Sequence, residues 1–214
     1  MQVDDVVTEV RSKGWSRFSS TNIDLQDLIR RLGFIIMEND VSIDKKSRSL
    51  VRSSKPLPPH TDHHLAHYIL WHCHRQDSEG GFSIIIDGLQ IFQEMNSEQK
   101  ELLKDIKLME HCVFKDDLRH HPMIQKTEDG LRIYYSFWMA DNNLSREQKE
   151  AFEAFNTRVR DSEPIKFRLE PEECLIIDNG RVLHGRSSIS PDSDRLLKRY
   201  WIGDSELELS LIHI

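Results

Sequence analysis

The chain has 214 residues, 30% of them charged and 38% hydrophobic, with a formal net charge of −7. Leu, Ile and Val are spread throughout, which excludes a disordered or fibrous chain and allows one substantial core. The acidic balance excludes a general binder of phosphate backbones, whose affinity comes from Lys and Arg. No stretch approaches the roughly 20 apolar residues that cross a bilayer, so neither nucleic acid nor a membrane is an expected partner.

In chain order, the opening MQVDDVVTEVRSKGW mixes acids and bases without an apolar leader core. STNIDLQDLIRRLGF predicts a helix, with Asn22 or Asp24 as cap, Leu25, Leu28, Ile29 and Leu32 at helical spacing and Gly33 as the stop. Residues 40–59 are polar, with three prolines near the end, and read as a loop delivering the chain to His60. The apolar runs over 65–74 and in FSIIIDG predict core strands. NSEQKELLKDI and LSREQKEAFEAFNTRV predict helices, because Asn96 and Ser145 are each followed three residues later by Gln, at capping-box spacing. RIYYSFWM, ECLIIDNGRVLHGR and LLKRYWIG return to strand chemistry. The three cysteines, Cys73, Cys112 and Cys174, match neither a disulfide framework nor a zinc knuckle. A reducing, cytoplasmic setting is expected. Scattered strands with a few helices point to a mainly β chain, a barrel or sandwich with peripheral helices, rather than a regular βαβ alternation.

The stretch PPHTDHHLAHYILWHCH holds six of the 11 histidines beside one carboxylate, Asp62. Two imidazoles and one carboxylate on one face leave an iron ion with vacant positions for oxygen. His60 and Asp62 fit that role, since residues i and i+2 at a strand end point to the same side. The third ligand must come from elsewhere, and His184, 122 residues after Asp62, follows a strand and a DNG turn. The other imidazoles, His63 with His67 and His72 with His74, have zinc-clamping spacing on a helix or strand, but no HExxH accompanies them, and hydrogen-bonded core histidines account for them equally well. Asp116, Asp117, His120 and His121 form a polar stretch that reads as a lid or a solvated loop.

HTD at 60–62, GGFS at 80–83, DNGRVLHGR at 178–186 and RLLKRYW at 195–201, in this order, resemble the taurine dioxygenase and clavaminate synthase-like family of Fe(II)- and 2-oxoglutarate-dependent oxygenases. The resemblance covers about residues 30–203. It implies one domain over 1–214 with that core, folded as a double-stranded β-helix, or jelly roll. It implies His60, Asp62 and His184 as iron ligands. Ser83 takes the hydroxyl position and Arg195 the guanidinium position that hold the distal carboxylate of 2-oxoglutarate, and a fork of two charge-assisted donors suits a carboxylate. Arg199 matches a further arginine near the cosubstrate and the anionic end of the substrate. His63, Tyr134 and Trp201 are candidates for lining the substrate side.

The implied activity consumes O2 and 2-oxoglutarate, releases succinate and hydroxylates an unactivated C–H bond of a small polar metabolite, with a free amino acid or derivative as the favoured class. Halogenating relatives replace the carboxylate at the position of Asp62, so its presence favours hydroxylation. Desaturation or cyclisation by the same cofactor chemistry, a non-catalytic metal-binding jelly roll and a zinc hydrolase stand as alternatives.

Overall fold

The computed structural model describes residues 1–47, 49–110, 113–117, 119–141 and 143–205. Cys112 and the terminal LELSLIHI lie outside the described residues. Helix α1 (Val3–Lys13) ends on Gly14, whose φ of 87° is the left-handed conformation that closes a helix, and the chain turns into β1 (Trp15–Ser19). Helix α2 (Leu25–Leu32), capped by the Asp24 carboxylate on the N–H groups of Gln26 and Asp27, leads to β2 (Phe34–Val41). Strands β3 (Leu57–His60), β4 (Tyr68–Arg75) and β5 (Ser83–Asp87) precede helices α3 (Gly88–Glu94) and α4 (Ser97–Asp105). Two antiparallel pairs follow, β6 (Lys107–Met109) with β7 (His120–Pro122) and β8 (Ile124–Thr127) with β9 (Gly130–Ile133). Helix α5 (Arg146–Asp161) carries the full capping box of Ser145 and Gln148. The chain then runs through β10 (Ile165–Phe167), β11 (Glu173–Asp178), β12 (Val182–Arg186) and β13 (Leu196–Gly203).

The strands assemble into a five-stranded sheet in the order β1-β11-β4-β13-β2 and a four-stranded sheet in the order β10-β5-β12-β3, all pairings antiparallel. The apolar runs of β4 and β11 do not alternate with polar residues because the larger sheet is buried on both faces. On one face Ile69, Trp71, Cys73, Leu175, Ile177, Leu197 and Trp201 pack with Ile85 of the smaller sheet. On the other, Leu70, Cys174, Ile176 and Ile202 pack under Val6 and Val10 of α1 and Leu28 and Ile29 of α2. Period-two alternation thus separates two cores, at roughly 1.5–3 kcal/mol for each large apolar side chain removed from water. A third cluster, with Phe92, Leu103, Tyr135 and Phe155, holds α3, α4 and α5 to the short strands.

The structure corrects the sequence reading at several points. The larger sheet takes in Trp15–Ser19, upstream of the expected start of the core near residue 30. Leu57–His60 closes as a strand against β12 although it contains Pro58 and Pro59, because β3 is the edge of its sheet, where a missing N–H is tolerated. The strand expected through RIYYSFWM stops at Ile133. Beyond it the Tyr134 N–H donates to Met123 O and the Tyr135 N–H to Thr61 Oγ1, and Phe137–Met139 wind into a 3-10 turn. Among the described residues no helix is long and apolar enough to cross a membrane.

Candidate functional site

The four-stranded sheet brings His60 and His184 together by strand register. They are direct cross-strand partners on β3 and β12, with ring centroids 4.4 Å apart. Asp62 follows two residues after His60 in a turn that the Asn179 side chain ties down. Asn179 Oδ1 accepts from the Asp62 N–H at 2.8 Å, and its amide donates to the carbonyls of His63 at 3.1 Å and Ala66 at 2.8 Å. Asp62 Oδ1 then lies 3.4 Å from His60 Nε2 and 3.7 Å from His184 Nε2. One ligand atom from each of the three residues falls within 4.8 Å of the others.

The electrostatics of the trio suit a cation. His60 Nδ1–H donates to Pro58 O at 2.9 Å, which leaves the lone pair on Nε2, the nitrogen that faces Asp62. Among the described residues His184 spends neither nitrogen on a protein hydrogen bond, and its Nδ1 is buried without a partner. Burial first, then the neighbouring His60, push the His184 imidazole down to about 3, so it is neutral near pH 7. Burial alone would raise the Asp62 carboxyl, but Arg199 foremost, then His184 and His60, hold it well below the usual carboxylate range. Two imidazoles and an anionic carboxylate oxygen therefore converge in a buried setting, a donor set that could hold iron and leave positions open. Trp71, tilted against His184 at 4.9 Å, sets the plane of that ring.

Beside the trio a cavity opens between the sheets, lined by His60, Ser83, His184, Arg195 and Arg199 and walled by Trp71, Leu175 and Leu197. Arg195 is 5% exposed. Its Nε donates to Gln76 Oε1 at 2.9 Å, and among the described residues its two Nη groups have no hydrogen-bond partner. Burial, then the adjacent Arg186, lower the Arg195 guanidinium to about 10, still cationic at neutral pH. Ser83 stands across the β5–β12 pairing from Arg186, with its hydroxyl likewise without a partner among the described residues. The guanidinium of Arg186 is spent on backbone carbonyls of Ser53, Lys55 and Ser187, pinning the 53–55 loop. The GGFS glycines serve close packing: a Cβ on Gly80 would lie 2.1 Å from Ser188 O, and Gly81 has a φ of +76° beside Gln76 and Arg195.

The other candidates fall as follows. Arg199 lines the cavity, but its Nη1 donates to Asp62 Oδ2 at 2.8 Å and its Nε to Asn39 at 3.1 Å. Trp201 also turns its indole N–H onto Asp62 Oδ2, at 2.8 Å. His63 is buried, with Nδ1 accepting from the Leu65 N–H and Nε2 donating to Asp117 at 3.0 Å. Tyr134 donates to Met109 O and lines a separate cavity with His64 and His121. His63, His64 and Glu110 also cluster closely enough for a metal, with His64 Nδ1 2.5 Å from Glu110 and His63 Nε2 3.0 Å from Asp117. Sequence reasoning missed Asn179, Gln76, Asn39 and Trp71. Of these, only Asn179 carried a signal, its place in the DNG turn before His184.

This fold and constellation define a class, and comparison with known proteins identifies it. Residues 14–201 match the family model of the taurine catabolism dioxygenase TauD, TfdA family, and the chain belongs to that family. Trimethyllysine dioxygenase of Neurospora crassa is 28% identical over 129 residues, which are 52% of this chain and 27% of that protein. Human gamma-butyrobetaine dioxygenase is 22% identical over 199 residues, 77% of this chain and 49% of that protein. The chain thus spans about half or less of the length of these curated relatives. Asparagine oxygenase in complex with Fe(II), 2S,3S-3-hydroxyasparagine and succinate superposes with a TM-score of 0.75 at 15% identity, over 94% of this chain and 78% of that one. The non-heme iron oxygenase OrfP in complex with Fe and alpha-ketoglutaric acid gives 0.74 at 16%, over 95% and 80%. At these identities the structural likeness is one of fold.

Proposed function

We propose that the chain is an Fe(II)- and 2-oxoglutarate-dependent dioxygenase that hydroxylates an unactivated C–H bond of a small polar metabolite, a free amino acid or derivative. The observation that carries the reading is the buried convergence of His60, Asp62 and His184 beside a cavity lined by the two histidines, Ser83 and an Arg195 fork with no hydrogen-bond partner among the described residues. His60, Asp62 and His184 hold the iron. Bound there, the iron would supply the chemistry by which O2 oxidises the keto-diacid to succinate and CO2, one oxygen atom going to succinate and the other to the C–H bond. The chain does the rest. Arg195 offers parallel N–H donors to the distal carboxylate of the keto-diacid, the Ser83 hydroxyl adds a third, and the apolar wall of Trp71, Leu175 and Leu197 keeps water from the reacting end.

The two facing antiparallel sheets are read as a double-stranded β-helix, and residues 1–214 as one catalytic domain. The small-molecule substrate class is supported by the relatives, named for trimethyllysine and gamma-butyrobetaine, and by the structural neighbours with hydroxyasparagine and hydroxyarginine bound. A cytoplasmic setting suits the two buried free thiols, Cys73 and Cys174.

The test is succinate release from 2-oxoglutarate with Fe(II) and O2 across a panel of amino acids, with product mass as the second readout. A gain of one oxygen marks hydroxylation, and a loss of two hydrogens marks desaturation or cyclisation. Arg195→Ala should raise the KM for 2-oxoglutarate by roughly 10- to 100-fold, the worth of a charge-assisted pair. An unchanged KM, or a protein that releases no succinate with any member of the panel, refutes the reading.

A further inference from the structure

The two oxygens of Asp62 face different partners. Oδ1 faces the imidazoles of His60 and His184, at 3.4 and 3.7 Å. Oδ2 accepts two hydrogen bonds of 2.8 Å, from Arg199 Nη1 and from the Trp201 indole N–H. A carboxylate oxygen has two lone pairs, so two short N–H bonds saturate Oδ2 and leave it nothing to give a cation. Arg199 is held by Asn39 at its Nε, and the Trp201 ring lies against His63 at 6.0 Å and under the Arg199 guanidinium at 5.0 Å. Neither donor swings away freely. Both sit on β13, which pairs in register with β4 and β2, so the sheet itself aims them.

We infer that Trp201 is a positioning residue that, with Arg199, limits Asp62 to single-oxygen attachment and so keeps a coordination position of the iron free for the chelating cosubstrate. The inference rests on the metal-centre reading above and adds a role for a residue that neither ligates iron nor touches the keto-diacid. Its physical content is a count of positions. A six-coordinate ion held by two imidazoles and one carboxylate oxygen has three positions left, two of which a chelating keto-acid needs. A carboxylate gripping through both oxygens removes one of them.

The test compares the parent with Trp201→Phe, which keeps an aromatic ring on β13 and removes the indole N–H donor together with the five-membered ring that carries it. Co(II) is titrated into each protein while the visible absorption reports coordination, and 2-oxoglutarate is then titrated into the Fe(II)-loaded proteins without oxygen. The variant should retain its circular dichroism spectrum and bind Co(II) at least as tightly as the parent. It should also show an altered Co(II) spectrum and bind 2-oxoglutarate about 10-fold more weakly, because a second carboxylate oxygen on the ion competes with one arm of the keto-acid. A merely structural role would weaken metal and cosubstrate binding together and would overturn the inference. A parental Co(II) spectrum with parental 2-oxoglutarate affinity overturns it as well, while leaving the metal-centre reading standing. A parent protein that binds neither Co(II) nor Fe(II) overturns both.

Discussion

The Asp62 side chain is an anion enclosed by two imidazoles, an indole N–H and the Arg199 guanidinium. Arg199 is only 8% exposed, and its one carboxylate partner among the described residues is Asp62. Asp62→Ala should therefore destabilise the metal-free protein by about 3–5 kcal/mol, because it strands a buried cation. Urea unfolding in the presence of a chelator measures this, and an unmoved midpoint would contradict the pairing. That His60, Asp62 and His184 meet was legible in the sequence from the short motifs around them, although Asp62 lies past the end of β3, in a turn held by Asn179, and not on the strand. The saturation of Asp62 Oδ2 was not. It depends on β13 lying beside β4, which brings residues 199 and 201 to a turn 137 and 139 positions earlier in the chain. Read one at a time, Arg199 looked like a cosubstrate arginine and Trp201 like a substrate wall. The same holds for Gln76, whose hold on Arg195 has no signature at all in the chain order.

Among the elements, β12 has the tightest tolerances. It carries His184, runs between β5 and β3, and its register against β3 shifts between His184 and Arg186, around Gly185. A Cβ on Gly185 would lie 2.6 Å from Leu57 O, on the strand that ends in His60. Gly185→Ala should push β3 outward and separate the two imidazoles. The expected loss is about 1–3 kcal/mol of stability, in line with overpacking elsewhere, together with weaker Co(II) binding. A thermal melt and a Co(II) titration check this, and a variant matching the parent in both would show that β3 yields without moving His60. The elements that were easy to foresee have strong local signatures. Those of α2, α4 and α5 are capped amphipathic faces, and those of β4, β11 and β13 are apolar runs with two buried sides. α1 escaped notice because its acids and bases drew attention to the lack of an apolar leader, while Val6, Val7 and Val10 form its buried face. The misread stretch after Ile133 shows the opposite failure. Tyr134 and Tyr135 have strand-forming side chains, but their N–H groups are taken by Met123 O and Thr61 Oγ1, partners far off in the chain.

For the whole molecule, the buried imidazoles set the response to acid. Burial, then His60, lower His184 to about 3, and burial, then His64, lower His121 to about 4. Both groups take up a proton more readily unfolded, near 6.5, so the unfolded state binds more protons and stability falls as pH drops from about 6.5 toward those values. At pH 5 each costs the metal-free protein roughly 2 kcal/mol relative to neutral pH. The Asp62 carboxyl has the same sign but a more acidic window. Its lowered value stabilises the fold above the ordinary carboxylate range, a contribution lost only in strong acid. Thermal melts with a chelator between pH 7.5 and 5 should show a falling Tm, and Tm values flat across that window would contradict the burial of neutral His184 and His121.

The rung that pairs His60 with His184 joins positions 124 apart, 184 minus 60. A cation seated on that rung is a detachable clip across more than half of the polypeptide, present only once the distant segments have found each other. It rewards completion of the architecture and nothing earlier, since the open chain offers no preformed grip. Resistance to proteolysis and to heat should therefore follow the free concentration of an ion bound there.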